Sequence, residues 1–532
     1  MERHARYRAP VESGQKLAVP PWNELGSLLT ANVRRRSAVD LEIAGQSLAA
    51  LAVEARDECL ARARSYVGAY AANAVEPVGD PRRPIILTGH QPGLVHPGVW
   101  VKNFAAAALA AEHGATACHL IIDADACRST AIHVPTGSVD EPRLASVEFD
   151  LPGSAMPWEE RAIRDGDCWR SFPQRTRRAT TPLLAEMFLD QWWPLAVERA
   201  SATGLVGASL AQARHLAELG WGSRNLELPQ SQMCQTTAFR RFAVHLLAQL
   251  PRFVAVHNGV LADYRRAHRL RNHVHPAPNL AEDAPWLEAP FWLWSPADPR
   301  RRPLFVRRQG DEAVLSDRVG FTGSLSLDDV AAAIGQLGDW EAEGVKLRSR
   351  ALITTLFARL VLSDLFLHGI GGAKYDEATD AISEGFFGVA PPAYAALSGT
   401  LHLPIDHPAG GPDRVRSLQG RLRDLQYHPE RFAAELTGAD ADRDRGLQLA
   451  GLKRQSAALP KTPENATSRH AAIAESNQGL RELFTKHREQ TEAELAHAIA
   501  RRRANRVLDS REYAFCLFPR NLLEQFLLDF GR

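Results

Sequence analysis

The chain has 532 residues, with 63 Lys and Arg against 62 Asp and Glu and a formal charge of +1. At roughly 100 to 200 residues per domain this is material for two to four units around a large core, which excludes a small disulfide- or metal-stapled scaffold. The charge parity leaves no bulk field to draw the whole molecule to nucleic acid or a membrane surface, so recognition has to be local. Only seven of the basic residues are Lys, at 16, 102, 346, 374, 453, 461 and 486, and the excess of Arg and Ala reads as a GC-rich genome.

A hydrophobic share of 45% beside 23% charge fits a globular protein and neither a disordered nor a fibrous one. No apolar run reaches the roughly 18 residues a membrane helix needs, and the opening MERHARYRAP lacks the apolar stretch of a signal peptide, so a cytoplasmic location is expected. Cysteines 59, 118, 127, 168, 234 and 516 form no CxxC pair, which argues against a zinc ribbon or a dithiol site and predicts buried small hydrophobes.

In chain order, residues 1–80 predict a polar entry and then a helix through Leu41, Leu48, Leu51 and Val53. At 84 the pattern changes: PIILTG, the loop HQPGLVHPG, the helical VWVKNFAAAALAAEHG and the run CHLIID make a βαβ unit in about forty residues. An α/β fold with a parallel sheet follows, with ligands at the carboxyl ends of its strands, where Thr88 to Gly98 and Asp123 to Asp125 lie. FVAVHNG (253–259) predicts another strand, and 285–325 predicts loops and short strands.

ALITTLFARLVLSDLFLHG predicts one long buried helix that runs into GIGGAKYDEATD. Beyond 410, Val415, Leu418, Leu422 and Leu425 step like a heptad seam. Thr462-Pro463-Glu464 signals the start of a second helix carrying Ile473, Leu480, Phe484, Leu495 and Ile499, so an antiparallel helical hairpin is expected. The closing REYAFCLFPRNLLEQFLLDF returns to core-like composition. The expected division is therefore 1–80, 81–280, 281–410, 411–510 and 511–532.

Four constellations carry chemistry. In TGHQPGLVHPGVWVK, Gly89, Gly93 and Gly98 let the backbone fold tightly, a helix N-terminus follows, and His90, Gln91, His96 and Lys102 supply polar groups; the loop suits phosphate or carboxylate, without Walker A or GxGxxG spacing. Asp123 and Asp125, two apart on an extended segment, are expected to share a face. No HxH or HExxH spacing accompanies them, and no metal is expected.

In HGIGGAKYDEATD, His368, Gly369, Gly371 and Gly372 permit close approach to a ligand, and Tyr375, Asp376 and Asp380 project polar groups. The stretch 264–275 packs Tyr264, Arg265, Arg266, His268, Arg269, Arg271, His273 and His275 together; its guanidinium forks suit a small anion better than nucleic acid, for lack of interleaved aromatics. These cations and the carboxylates at 123, 125, 376 and 380 are expected to meet in one cleft.

In this order the segments resemble the bacillithiol biosynthesis cysteine-adding enzyme family. Its TGQQ-x-G, G-P and helical Lys are matched by TGHQPG (88–93), HPG (96–98) and Lys102; its E-D-H-D by Asp123-Ala124-Asp125; its L-R-P by Leu347-Arg348; its G-P-G-E and Tyr by Gly369 to Gly372 and Tyr375; its closing L-F-P motif by LFPRNLLEQF (517–526). His90 stands where the family has Gln, and the distal half of the acidic motif is missing. The resemblance implies a Rossmann-like, nucleotidyltransferase-type core, a connecting region and a coiled-coil hairpin.

It also implies a ligase-like activity joining the carboxyl of an amino acid, cysteine in the family, to the amine of a small anionic or sugar metabolite. Amide formation needs an activated carboxyl, so a nucleotide, an adenine nucleotide being one option, or an activated donor is expected. On that basis His90, His96 and Asp123 are catalytic candidates, with His90 or His96 as general base. Thr88, Gly89, Gln91, Gly93, Gly98, Lys102, Asp125, Arg348, His368, Gly369, Gly371, Gly372, Tyr375 and Asp376 are the substrate-binding candidates. Two other readings stay open: nucleotidyl transfer on the same core, suggested by His96-Pro97-Gly98 at a helix start, and a non-catalytic scaffold that forms a homodimer through its hairpin. The expected partner is a small anionic molecule, with no nucleic acid and no membrane.

Overall fold

The computed structural model describes residues 7–74, 82–272, 274–408, 412–436 and 440–530. The expected boundaries at 80/81 and 410/411 and His273 lie outside the described residues.

The fold is mixed α/β. Its central sheet contains β1 (Lys16–Val19), β2 (Ile85–His90), β3 (Thr116–Ile121) and β4 (Leu226–Pro229). A second sheet consists of β5 (Trp286–Ser295), β6 (Asp298–Gln309), β7 (Glu312–Ser316), β8 (Thr322–Ser326) and β9 (Lys346–Ser349). The chain then re-enters the central sheet with β10 (Leu365–His368) and β11 (Ala395–Gly399).

The helices that matter for the site are α1 (Leu48–Gly68), α2 (Pro97–His113), α3 (Val206–Gly220), α4 (Leu250–Ala267), α5 (Ala351–Phe357) and α6 (Ile370–Phe387). Four more, α7 (Pro412–Tyr427), α8 (Asp440–Ala458), α9 (Ala466–Leu483) and α10 (Thr485–Leu508), precede the closing α11 (Arg520–Leu528).

The central sheet runs in the order β1-β11-β10-β2-β3-β4, all parallel except β1. From β2 the chain crosses through α2 to β3 and on to β4 on one side, then returns to lay β10 and β11 on the other. The reversal opens a crevice between the carboxyl ends of β2 and β10, the place where open α/β sheets bind ligands. β5 to β8 form an antiparallel meander, and β9 pairs with the other edge of β5.

Four local expectations are corrected. The segment 253–259 is helical, within α4: Phe253, Val254, His257 and Leu261 are buried at helical spacing, and Pro251 sits in the first turn. The stretch 285–325 holds long strands, the longest of 12 residues. The apolar run at 351–369 is not one helix; α5 gives way to a π turn (Ala358–Leu362), and β10 follows. A strand buried on both faces carries no alternation to separate it from a buried helix. In the hairpin region there are four helices, α7 packing on α10 and α8 on α9, and α9 begins four residues after Thr462, with Asn465 at its cap.

All six cysteines are free, and five are buried. No helix among the described residues is long and apolar enough to cross a membrane.

Candidate functional site

A cleft of about 1000 Å³ occupies the crevice between β2 and β10, and the second sheet forms its far wall. β2 delivers the first residues. Thr88 is spent on the sheet: its buried Oγ1 donates to Leu367 O of β10 (3.0 Å). His90 ends the strand on the cleft, and its Nδ1 donates to Gln91 O (2.8 Å), because a carbonyl can only accept. The neutral ring therefore keeps its lone pair on Nε2, which is buried and has no hydrogen-bond partner among the described residues.

His96 caps α2, its Nδ1 accepting from Gly98 N (3.1 Å), with Pro97 in the first turn. Gly98 admits no side chain: a Cβ there would lie 2.0 Å from Gly399 O. Gln91 reaches Asp125 (Nε2 to Oδ2, 2.9 Å). Gly93 faces Trp158 and does not line the cleft.

Lys102, one turn into α2, is 3% exposed and donates to Gly89 O (2.8 Å). It makes no ion pair with any carboxylate among the described residues. Burial lowers its pKa to about 7. Across the crevice, β10 ends at His368, whose Nε2 meets Asp376 Oδ2 (2.6 Å), and Arg359 holds the same oxygen (2.7 Å). Burial pushes the Asp376 carboxyl up, but His368 and Arg359 outweigh it and leave the pKa at about 2.

Gly369 caps α6 without a side chain to satisfy the first N–H groups, and Gly371 and Gly372 line the cleft. A Cβ on Gly372 would lie 2.6 Å from His368 Nδ1. Tyr375 also lines the cleft, with His275 edge-on to its ring at 5.3 Å.

Asp123 and Arg348 are placed elsewhere. The chain turns at 123–124, so Asp123 and Asp125 do not share a face. Asp125 lines the cleft; Asp123 accepts from Ser231 N and Oγ (2.8 and 2.5 Å) in a separate cavity of about 460 Å³ beside Tyr66 and Glu159. Burial and the Glu159 charge raise its pKa to about 7. Arg348 is fully buried, with Nε on Glu159 (2.9 Å) and its Nη atoms on Glu341 (both 2.8 Å), so its fork is occupied.

The described residues of the basic stretch 264–275 also stay off the cleft. Arg265 folds onto His275 O (3.0 Å) and Asn279 Oδ1 (2.6 Å), while Arg266, Arg269 and Arg271 are exposed. The single cleft for all these charges is therefore not found; Asp380 is taken by Arg359.

The histidines are not proton stores at neutral pH. Burial, then the cations Arg511 and Lys102, lower His96 to about 4; burial, then His119, Arg214 and Lys102, hold His90 well below the usual imidazole range. Behind His90, with ring centroids 4.2 Å apart, His119 bonds Glu227 (3.1 Å), and Arg214 bridges Glu227 (2.5 Å) and Glu218.

The cleft also contains residues that no local motif marks: Trp292 on β5, Arg301 on β6, Arg350, His257 on α4, and Arg511 from the closing segment. Gln230, just after β4, ties the two sheets across the cleft floor, its Nε2 donating to Ser349 O (3.0 Å) and Thr354 Oγ1 (2.9 Å). No group of three or more His, Cys, Asp or Glu able to hold a metal occurs among the described residues. The sequence matches no protein-family model and no curated protein.

Proposed function

We propose that the protein is a ligase-like enzyme on a Rossmann-like core with a coiled-coil appendage, a divergent relative of the cysteine-adding enzymes. Its cleft would join the carboxyl of an amino acid to the amine of a small anionic metabolite. The observation that carries an anionic substrate is Lys102, a buried ammonium on the cleft satisfied by one carbonyl and by no carboxylate among the described residues. A desolvated cation so placed, facing the uncapped start of α6, favours an anion.

His90 supports the bond-forming half of the reading. As the amine nitrogen closes on an activated carbonyl carbon, the C–N bond forms and the bond to the leaving group breaks; His90, which lines the cleft, would take the released proton once its ring turns to bring the now buried Nε2 to the substrate. The low basicity of that imidazole suits a transient acceptor, which passes the proton on rather than keeping it. An adenine nucleotide would supply the activation, as an acyl phosphate or acyl adenylate.

The test is to incubate the protein with ATP, a panel of amino acids and glucosamine–malate and to look by mass spectrometry for the condensed product. The product is expected with the wild type and at least about tenfold more slowly with Lys102→Met. Pyrophosphate release with a nucleotidylated product and no amide would instead assign the cleft to nucleotidyl transfer.

A further inference from the structure

The cleft is larger than a small metabolite needs, and its two ends differ in chemistry. At about 1000 Å³ it stands at the upper end of ligand pockets, which run roughly 300 to 1,000 Å³. One end holds Lys102 and the start of α6, where positive charge has no carboxylate partner among the described residues. The other end is walled by Leu280, Pro290, Trp292, Leu352 and Ile353. Leu280, Leu352 and Ile353 belong to the apolar cluster that underlies the antiparallel sheet.

The cations at this second end are already matched. Arg350 pairs with Glu288 (2.6 Å) and Arg301 with Asp125 (2.8 Å), and both guanidiniums lie against the Trp292 ring, at 4.1 and 4.8 Å from its centroid. With those charges cancelled, this end offers an incoming group aromatic and aliphatic surface rather than a second anion hook. Phe366, its ring 4.3 Å from that of His368, joins the apolar wall to the polar one.

We propose that the cleft takes one amphiphilic molecule, with an anionic head at Lys102 and the start of α6 and an aromatic or bulky aliphatic body against Leu280, Trp292, Leu352 and Ile353. The proposal rests on the cleft being the substrate site, and it narrows the substrate class from any small anion to one with a large apolar part. Water leaves the apolar wall only when the body fills it, so affinity should grow with the area of that body.

Isothermal titration of the full-length protein with acetate, 2-naphthoate and the uncharged 2-naphthamide tests it. 2-Naphthoate is expected to bind at least about tenfold more tightly than either of the others. Lys102→Met should make naphthoate and naphthamide equal, and Leu352→Ala should weaken naphthoate while leaving acetate unchanged. If naphthoate and acetate bind alike, the amphiphile is wrong and the anion site stands. If neither anion binds, the functional reading falls along with it. The comparison of the three ligands needs only the wild-type chain, so it does not depend on a variant folding.

Discussion

At the scale of single residues, Lys102 couples stability to binding with opposite signs. Its ammonium titrates at about 7 in the folded protein because burial penalises the charge, against about 10.4 in an unfolded chain. Between those values the unfolded chain binds the extra proton, so this residue makes stability rise with pH from about 7 to about 10.4, and below 7 its full penalty remains. Lys102→Met should therefore raise the Tm at pH 6 by a few degrees and flatten that rise, while removing the preference of the cleft for an anionic over a neutral ligand. In the wild type, anion affinity should fall as pH climbs through about 7, a trend that titrations at pH 6 and pH 8 would reveal.

The buried Arg214 makes the contrasting case. Its guanidinium is committed to Glu218 and Glu227 with no solvent access, so Arg214→Met would strand two carboxylates and should cost about 3–5 kcal/mol in urea unfolding. Lys102, His90 and His368, picked out by residue types in a motif, all line the cleft. Residue types misplaced Asp123, because a turn that breaks strand alternation leaves no mark in a two-residue spacing, and Arg348, because an arginine fork looks the same whether carboxylates of the core or a ligand fill it.

At the scale of elements, the start of α2 shows how tightly the site is built into the backbone. Gly98 lies against the carbonyl of Gly399 on β11, and a methyl group placed 2.0 Å from that oxygen forces the helix and the strand apart. Gly98→Ala should destabilise by about 2–4 kcal/mol and widen the cleft mouth, measurable as a lower urea midpoint and weaker anion binding together. His96→Ala removes the cap and the long contact of Nε2 with Glu512 (3.7 Å) and should cost about 1 kcal/mol.

The first βαβ unit was legible because Gly, Pro and an Ala-rich helix punctuate it strongly. β10 was not, since Leu365 to Leu367 are buried on both faces and read as a continuation of α5. The antiparallel sheet was hidden for a different reason. Arg and Pro are frequent along β6, and its pairing with β5 is broken by register shifts, so no clean alternation reaches the sequence.

At the scale of the whole molecule, the N-terminal segment is part of the sheet and not a preface to it. β1 forms its antiparallel edge, and Arg36 and Arg56 converge on Asp364, which also accepts from Ile85 N (2.8 Å) just before β10. One buried carboxylate thus ties two helices and two strands. Asp364→Asn should leave both guanidiniums short of a counter-charge and cost about 3–5 kcal/mol, seen as a fall in Tm. Such long-range ties span about three hundred residues and leave no local signature in the sequence.

Gln230 gives the cleft a further property. One end of the cavity is fixed by backbone contact at Gly98 and Gly399, and the floor is clamped by the amide of Gln230 on Ser349 and Thr354. The frame of the cavity is therefore held at these two places by main chain and by a buried amide, and side chains line it between them. If the proposed substrate fills this cavity, substitutions of lining side chains such as Leu352 would change how strongly it is held, while the backbone contact at Gly98 and the amide of Gln230 would keep the frame around it.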